Sequence, residues 1–196
     1  AKYKRTIASD PNFSKAYYKV GFNFVFLKQY KKAIKPLKKS ISISPKFPMS
    51  YYQLGIAYSH LNQHQKAIEA LEQVVRINNL FAKGHLALGL AHTKVKQYDQ
   101  AIVHLQKALD SNPSFVEVYY PLGLSLMKVG RFEDASVLLS QTTIDNPDYP
   151  NVQNQLGMGF WKLKKYAEAI GSFKRAIESD PSLIAPYLAW GHWLQL

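Results

Sequence analysis

The chain contains no cysteine in its 196 residues. That excludes disulfides, thiolate-bound zinc, iron–sulfur clusters and a cysteine nucleophile together. It does not fix the compartment, because a protein without thiols survives in any redox environment. Carboxylates are scarce: 13 Asp and Glu stand against 25 Lys and Arg, a net charge of +12. Long apolar runs are missing too. The longest, near Val20 to Leu27, is broken by Asn23 and falls well short of the roughly 20 residues that span a bilayer. The opening residues Ala1 to Arg5 are basic but lead into polar residues, not the apolar stretch of a signal peptide. What is present is a 47% hydrophobic composition, normal for a folded chain and too high for a disordered one.

A strict internal register organises those residues. Gly21, Gly55, Gly89, Gly123, Gly157 and Gly191 follow one another at intervals of 34. Twelve residues after the first five comes alanine: Ala33, Ala67, Ala101, Ala135 and Ala169. Sixteen residues after them sits Leu37, Leu71, Leu105, Leu139 or Phe173. Pro11, Pro45, Pro113, Pro147 and Pro181 keep the same register, with Asn79 filling the gap. A fixed period of this length is the mark of a repeat architecture.

Each unit reads as two amphipathic helices. In the third, residues 82–95 are predicted to form one helix and residues 99–111 another. Ala101, Ile102, Leu105 and Ala108 give the second its one-sided apolar spacing. Lys96-Gln97-Tyr98 is the expected turn, and Asn112-Pro113 the stop, because the residue before proline is pushed out of the helical region. Mid-helix glycine costs roughly 1 kcal/mol in propensity. Its recurrence in every unit therefore points to a steric need where two helices cross closely.

This pattern resembles the tetratricopeptide repeat, a 34-residue helix–turn–helix unit. The aromatic at position 4 is Tyr17, Tyr51, Tyr119 and Tyr187, with departures at His85 and Gln153. The glycine is at position 8, the alanine at position 20, and the proline at position 32; Val74 and Asn79 are mild departures in the second unit. The resemblance implies an all-α fold, a right-handed α-solenoid of antiparallel helix pairs forming a single array over 1–196. Its complete repeats are 14–47, 48–81, 82–115, 116–149 and 150–183. Residues 1–13 are then the second helix of a partial repeat and 184–196 a lone first helix carrying Trp190, Trp193, Leu194 and Leu196. Ends severed within a unit lead to the expectation that the chain is an excerpt of a longer array, or that its terminal helices dock on something, another copy included.

In proteins of this family, positions 2, 5, 9, 12 and 13 of the first helix face a concave groove. Position 9 holds Phe22, Ile56, Leu90, Leu124 and Met158, where the idealised repeat tends to carry a polar residue. Position 5 adds Tyr18, Tyr52, Leu86 and Tyr120, and position 12 adds Met127 and Trp161. Position 13 adds Phe26, Lys94, Lys128 and Lys162. If these residues point inward they form an apolar strip edged by lysine, and large exposed apolar patches mark interaction surfaces. The expected occupant is a peptide or amphipathic helix of a partner protein; the alternative is packing against neighbouring helices. The heat-shock-chaperone clamp of the family uses asparagine at position 9, and this chain has none there.

Charge is uneven. Residues 1–47 carry twelve Lys and Arg against Asp10 alone, whereas the rest of the chain is nearly balanced. Lys28, Lys31, Lys32, Lys35, Lys38 and Lys39 form a basic patch, read either as a surface for an acidic protein, anionic membrane or nucleic acid, or as a solvated lysine face. Nucleic-acid binding is disfavoured, because the groove is apolar and the charge sits at one end. His60 and His64 straddle a turn, His85 and His92 fall on core positions, and His104 and His192 stand apart, so neither metal nor cofactor is expected. Nothing marks an enzyme. The sequence thus reads as an interaction scaffold, or else the regulatory or targeting region of a larger enzyme, with a cytoplasmic setting favoured.

Overall fold

The computed structural model describes residues 10, 12–145 and 150–182. Residues 1–9 of the expected first partial repeat and the expected lone helix at 184–196 lie outside the described residues. Ten α-helices and no strand occur among those described. They are α1 (Ser14–Phe26), α2 (Tyr30–Ile43), α3 (Pro48–His60), α4 (His64–Ile77), α5 (Ala82–Lys94), α6 (Tyr98–Ser111), α7 (Tyr119–Lys128), α8 (Phe132–Asp145), α9 (Pro150–Lys162) and α10 (Tyr166–Ser179). Tyr98, expected in a turn, instead opens α6, with Gln97 as its N-cap residue. A 3₁₀ turn at Val116–Val118 leads into α7, which shortens that helix to 10 residues.

Two compact units divide the chain, Ala1–Pro113 and Ser114–Leu196. In the first, each odd-numbered helix packs on the even-numbered helix after it, and α3 and α5 also pack on the even-numbered helix before them. The odd helices α1, α3 and α5 touch in succession and make one wall. The second unit pairs α7 with α8 and α9 with α10, and α9 also packs on α8.

The repeated glycines have the predicted steric reason. A Cβ built on Gly21 would lie 2.4 Å from Leu37 Cγ, and on Gly55 2.5 Å from Leu71 Cγ. Gly89 against Leu105 and Gly157 against Phe173 would each clash at 2.6 Å, and Gly123 against Leu139 at 2.9 Å. Ala33, Ala67, Ala101, Ala135 and Ala169 are completely buried, as are the leucines that fill the glycine notches. Burying one such leucine is worth about 1.5–3 kcal/mol, so every pair carries its own small core. Polar groups also enter the first unit's interior: Ser40 Oγ lies 2.8 Å from Ser50 Oγ and 3.1 Å from Ser14 Oγ, tying α2 to α1 and α3.

Every first helix ends in the same turn. The N–H of Gln29 donates to Phe24 O, Gln63 to Tyr58 O, Gln97 to His92 O, Arg131 to Leu126 O and Lys165 to Phe160 O. This six-to-one closure requires a left-handed residue just before the donor. Lys28, Asn62, Lys96, Gly130 and Lys164 occupy that place with φ between 56° and 82°. Only the fourth turn uses glycine, the residue for which this region carries no steric cost.

Candidate functional site

Within each first helix the candidate groove residues share one stripe, because residues four and seven apart lie on the same helical face. On α5 this stripe is Lys83, Leu86, Leu90 and Lys94; on α3 it is Met49, Tyr52, Ile56 and His60; on α1 it is Lys15, Tyr18, Phe22 and Phe26. The position-9 side chains are not sealed. Leu90 is 41% exposed, and Phe22 and Ile56 are half-buried, packed at the edge of the first unit's core. Phe26 is 77% exposed at the end of α1. Tyr52 and Leu86 are half-buried and Lys94 is exposed.

Tyr18 differs from the rest of its stripe. It is only 8% exposed, its ring edge-on to Phe47 at 5.1 Å and tilted against Phe22 at 6.1 Å. It supports Phe22 from beneath rather than offering contact area of its own. Tyr52 leans edge-on against Phe81 in the same way at 5.3 Å. Burial raises both phenols above their ordinary pKa, so they remain neutral hydrogen-bond donors at physiological pH. The Lys19 amino group lies 5.6 Å from the ring centres of both Tyr18 and Phe22, within reach of a cation–π attraction.

In the second unit, Met158 is 42% exposed, Tyr120, Leu124, Met127 and Trp161 are half-buried, and Lys128 and Lys162 are exposed. Trp161 packs edge-on against Tyr166 at 5.4 Å. Asn154 holds the position-5 place on α9; it is 7% exposed and its Oδ1 has no hydrogen-bond partner among the described residues. The basic-patch residues Lys28, Lys31, Lys32, Lys35, Lys38 and Lys39 are all exposed. None has a carboxylate within ion-pair distance among the described residues.

Histidine placement needs a correction. His104 does not stand apart: it joins His85 and His92 in one cluster between α5 and α6. His85 Nδ1 and His104 Nδ1 are 3.2 Å apart, and the His92 and His104 rings stack nearly parallel at 5.6 Å. The Asn79 carbonyl accepts from His85 Nε2 at 3.0 Å. That assigns the His85 proton to Nε2 and leaves Nδ1 to accept from His104. His92 Nδ1 pairs with Gln97 Oε1 at 2.7 Å. Burial, then repulsion from His85, His92 and Lys107, lowers the His104 pKa to about 4. Burial lowers that of His85 as well. The spacing that could have revealed the cluster is the pairing of a first-helix position with one 19 residues on in the same unit. A cavity of about 570 Å³ beside it is lined by Arg76, Asn79, His85, His104, Lys107 and Asp110 among others. Among the described residues no group of three or more His, Asp or Glu is placed to hold a metal. Nor is any helix among them long and apolar enough to cross a membrane.

The architecture is shared widely. The crystal structure of YrrB, described as a TPR protein with an unusual peptide-binding site, superposes with a TM-score of 0.90 at 17% identity, over 97% of this chain and 98% of that one. The crystal structure of MamA protein superposes at 0.78 with 24% identity, over 86% and 92%. MamA 41-end from Desulfovibrio magneticus RS-1 does so at 0.78 with 21%, over 86% and 96%. At such identities the likeness is one of fold. No curated protein matches the chain in sequence. The family described as the tetratricopeptide repeat protein 21 C-terminal ARM domain does match, over residues 27–184. That stretch takes in nearly all of the helix pairs built above. The chain belongs to this family of tetratricopeptide-like helical repeats.

Proposed function

We propose that the first-helix face binds a peptide or amphipathic helix of a partner protein. A scaffold for protein–protein interaction is the general role that the repeat fold supports, and one structure sharing the fold is described as having a peptide-binding site. The observation that carries the finer reading is the position-9 row. Large apolar side chains stand there in every unit, and Leu90 and Met158 remain about two-fifths exposed. Covering several of them supplies a few kcal/mol each before association costs, so micromolar affinity is expected. The chain reads as a binding module.

Selection from a random peptide library on the immobilised chain tests this. Apolar-anchored peptides are expected on the wild type and lost from Leu90→Asp with Leu124→Asp, while helicity and melting stay close to wild type. If the double variant unfolds, those positions belong to the core and the reading fails. A second reading, docking on an acidic or anionic surface through α2, is favoured by its exposed lysines, which have no carboxylate partner among the described residues.

A further inference from the structure

Negative charge is missing from the first helices of the unit Ala1–Pro113. Among the described residues no carboxylate lies on α1, α3 or α5, whereas in the second unit Glu117 stands on the 3₁₀ turn that runs directly into α7. Lysine shows no such avoidance. Lys15 and Lys19 on α1 and Lys83 and Lys94 on α5 are exposed. Helical spacing places Lys15 seven residues before Phe22, and Lys83 and Lys94 seven before and four after Leu90. These lysines therefore bracket the apolar row, and no carboxylate on the same three helices can neutralise them. A surface of one sign beside low-dielectric walls focuses its field on whatever docks there.

We propose that the first-helix face of the unit Ala1–Pro113 takes an acidic amphipathic peptide segment, whose apolar side chains cover Phe22, Ile56 and Leu90 while Asp or Glu residues lie over Lys15, Lys19, Lys83 and Lys94. This rests on the peptide-binding reading above and adds the partner's chemistry to it. Carboxylate placement selects the partner and speeds encounter, and the apolar row supplies affinity. A phosphate polymer would meet the lysines but leave the row bare, which favours peptide over nucleic acid. The α2 lysines lie on a second helix, outside this wall, and play no part in the selection.

Fluorescence anisotropy on the full chain tests the inference with one leucine-anchored helical peptide made in three forms, flanked by Glu, by Gln or by Lys. The Glu form is expected to bind about tenfold tighter than the Gln form at low salt, and the Lys form weakest. The differences should close near 1 M salt, where the screening length is about 3 Å. Replacing Lys15, Lys19, Lys83 and Lys94 by Gln should erase the Glu preference, whereas Lys31, Lys35, Lys38 and Lys39 to Gln should retain it. Equal binding of the Glu and Gln forms, or a preference lost only with the α2 set, overturns the inference while leaving a peptide groove standing. Failure of all three forms to bind overturns the peptide-binding reading, and this one with it.

Discussion

First and second helices of a pair solve different problems. A first helix such as α3 is held by its own partner, by the preceding second helix and by the first helices on either side. It buries Gln53, Leu54, Gly55, Ala57 and Tyr58 in consecutive turns, so little of its circumference is free. A second helix such as α6 fully buries only Ala101, Leu105 and Ala108, with Ile102, His104 and Leu109 half-buried and Asp99, Lys107 and Asp110 exposed. α3 and α6 therefore differ in tolerance. Glycine makes the contrast measurable. At Gly89 a new Cβ would sit 2.6 Å from Leu105 Cγ, whereas at Gly171 on α10 the nearest atom is 3.8 Å away, at the end of the Arg175 side chain.

Gly89→Leu should consequently have the largest effect, destabilising by about 3 kcal/mol through overpacking, while Gly171→Ala stabilises by roughly 0.5–1 kcal/mol through helix propensity. Urea denaturation of both variants checks the pair. Similar losses in the two would erase the distinction between the helix types.

The histidine cluster lies where the two kinds of helix meet, and it makes that junction sensitive to acid. His104 has a folded pKa of about 4, below the ordinary 6.5. Between those values the unfolded chain binds more protons than the folded one, so stability must fall as pH drops from 6.5 toward 4 and is unaffected by this group above 6.5. Lys107 and the rings of His85 and His92 all face it and add to the penalty. His104→Gln removes the titration, and its melting temperature should decline by several degrees less than wild type over that interval. Parallel profiles for the two proteins would remove the cluster from the account of acid sensitivity.

A smaller effect separates the turns. Lys96 carries a left-handed φ of 62°, which Gly130 meets with 82°. Left-handed backbone costs a side-chain-bearing residue about 1–2 kcal/mol, part of which glycine returns as chain entropy on folding. Lys96→Gly should gain, and Gly130→Ala lose, about 0.5–1 kcal/mol in thermal melts.

Much of this was legible in the sequence because the repeat imposes one steric rule five times. Glycine and alanine marked a close helix crossing, and in the structure the leucine or phenylalanine sixteen residues after each glycine fills that place. The position-9 row was legible only through family resemblance, since an apolar residue at that spacing reads equally well as core. Tyr18 shows the difficulty: its place on the stripe was readable, but its burial depends on Phe47, in the loop before the next repeat. The histidine cluster stayed hidden because it joins residues whose individual positions each look ordinary. Left-handed lysines at the turns were likewise invisible, as lysine carries no local signal for that conformation.

Charge on the second helices provides the finest probe of the contrast. On α2, Lys31, Lys35 and Lys39 succeed one another at four-residue intervals, all exposed. Like charges at that spacing repel by about as much as opposite charges attract, roughly 0.2–0.5 kcal/mol per pair. Lys35→Glu turns two repulsions into two attractions and should raise stability by about 0.8–2 kcal/mol, an increment that shrinks as salt approaches 1 M. The equivalent change on a first helix, Lys94→Glu, meets no lysine four residues earlier, because Leu90 stands there. It should lower stability slightly, by about 0.3–1 kcal/mol, because a carboxylate then ends α5, and act mainly on peptide binding. If Lys94→Glu moves the melting temperature as much as Lys35→Glu does, the first-helix lysines belong to a structural charge network and not to a binding face.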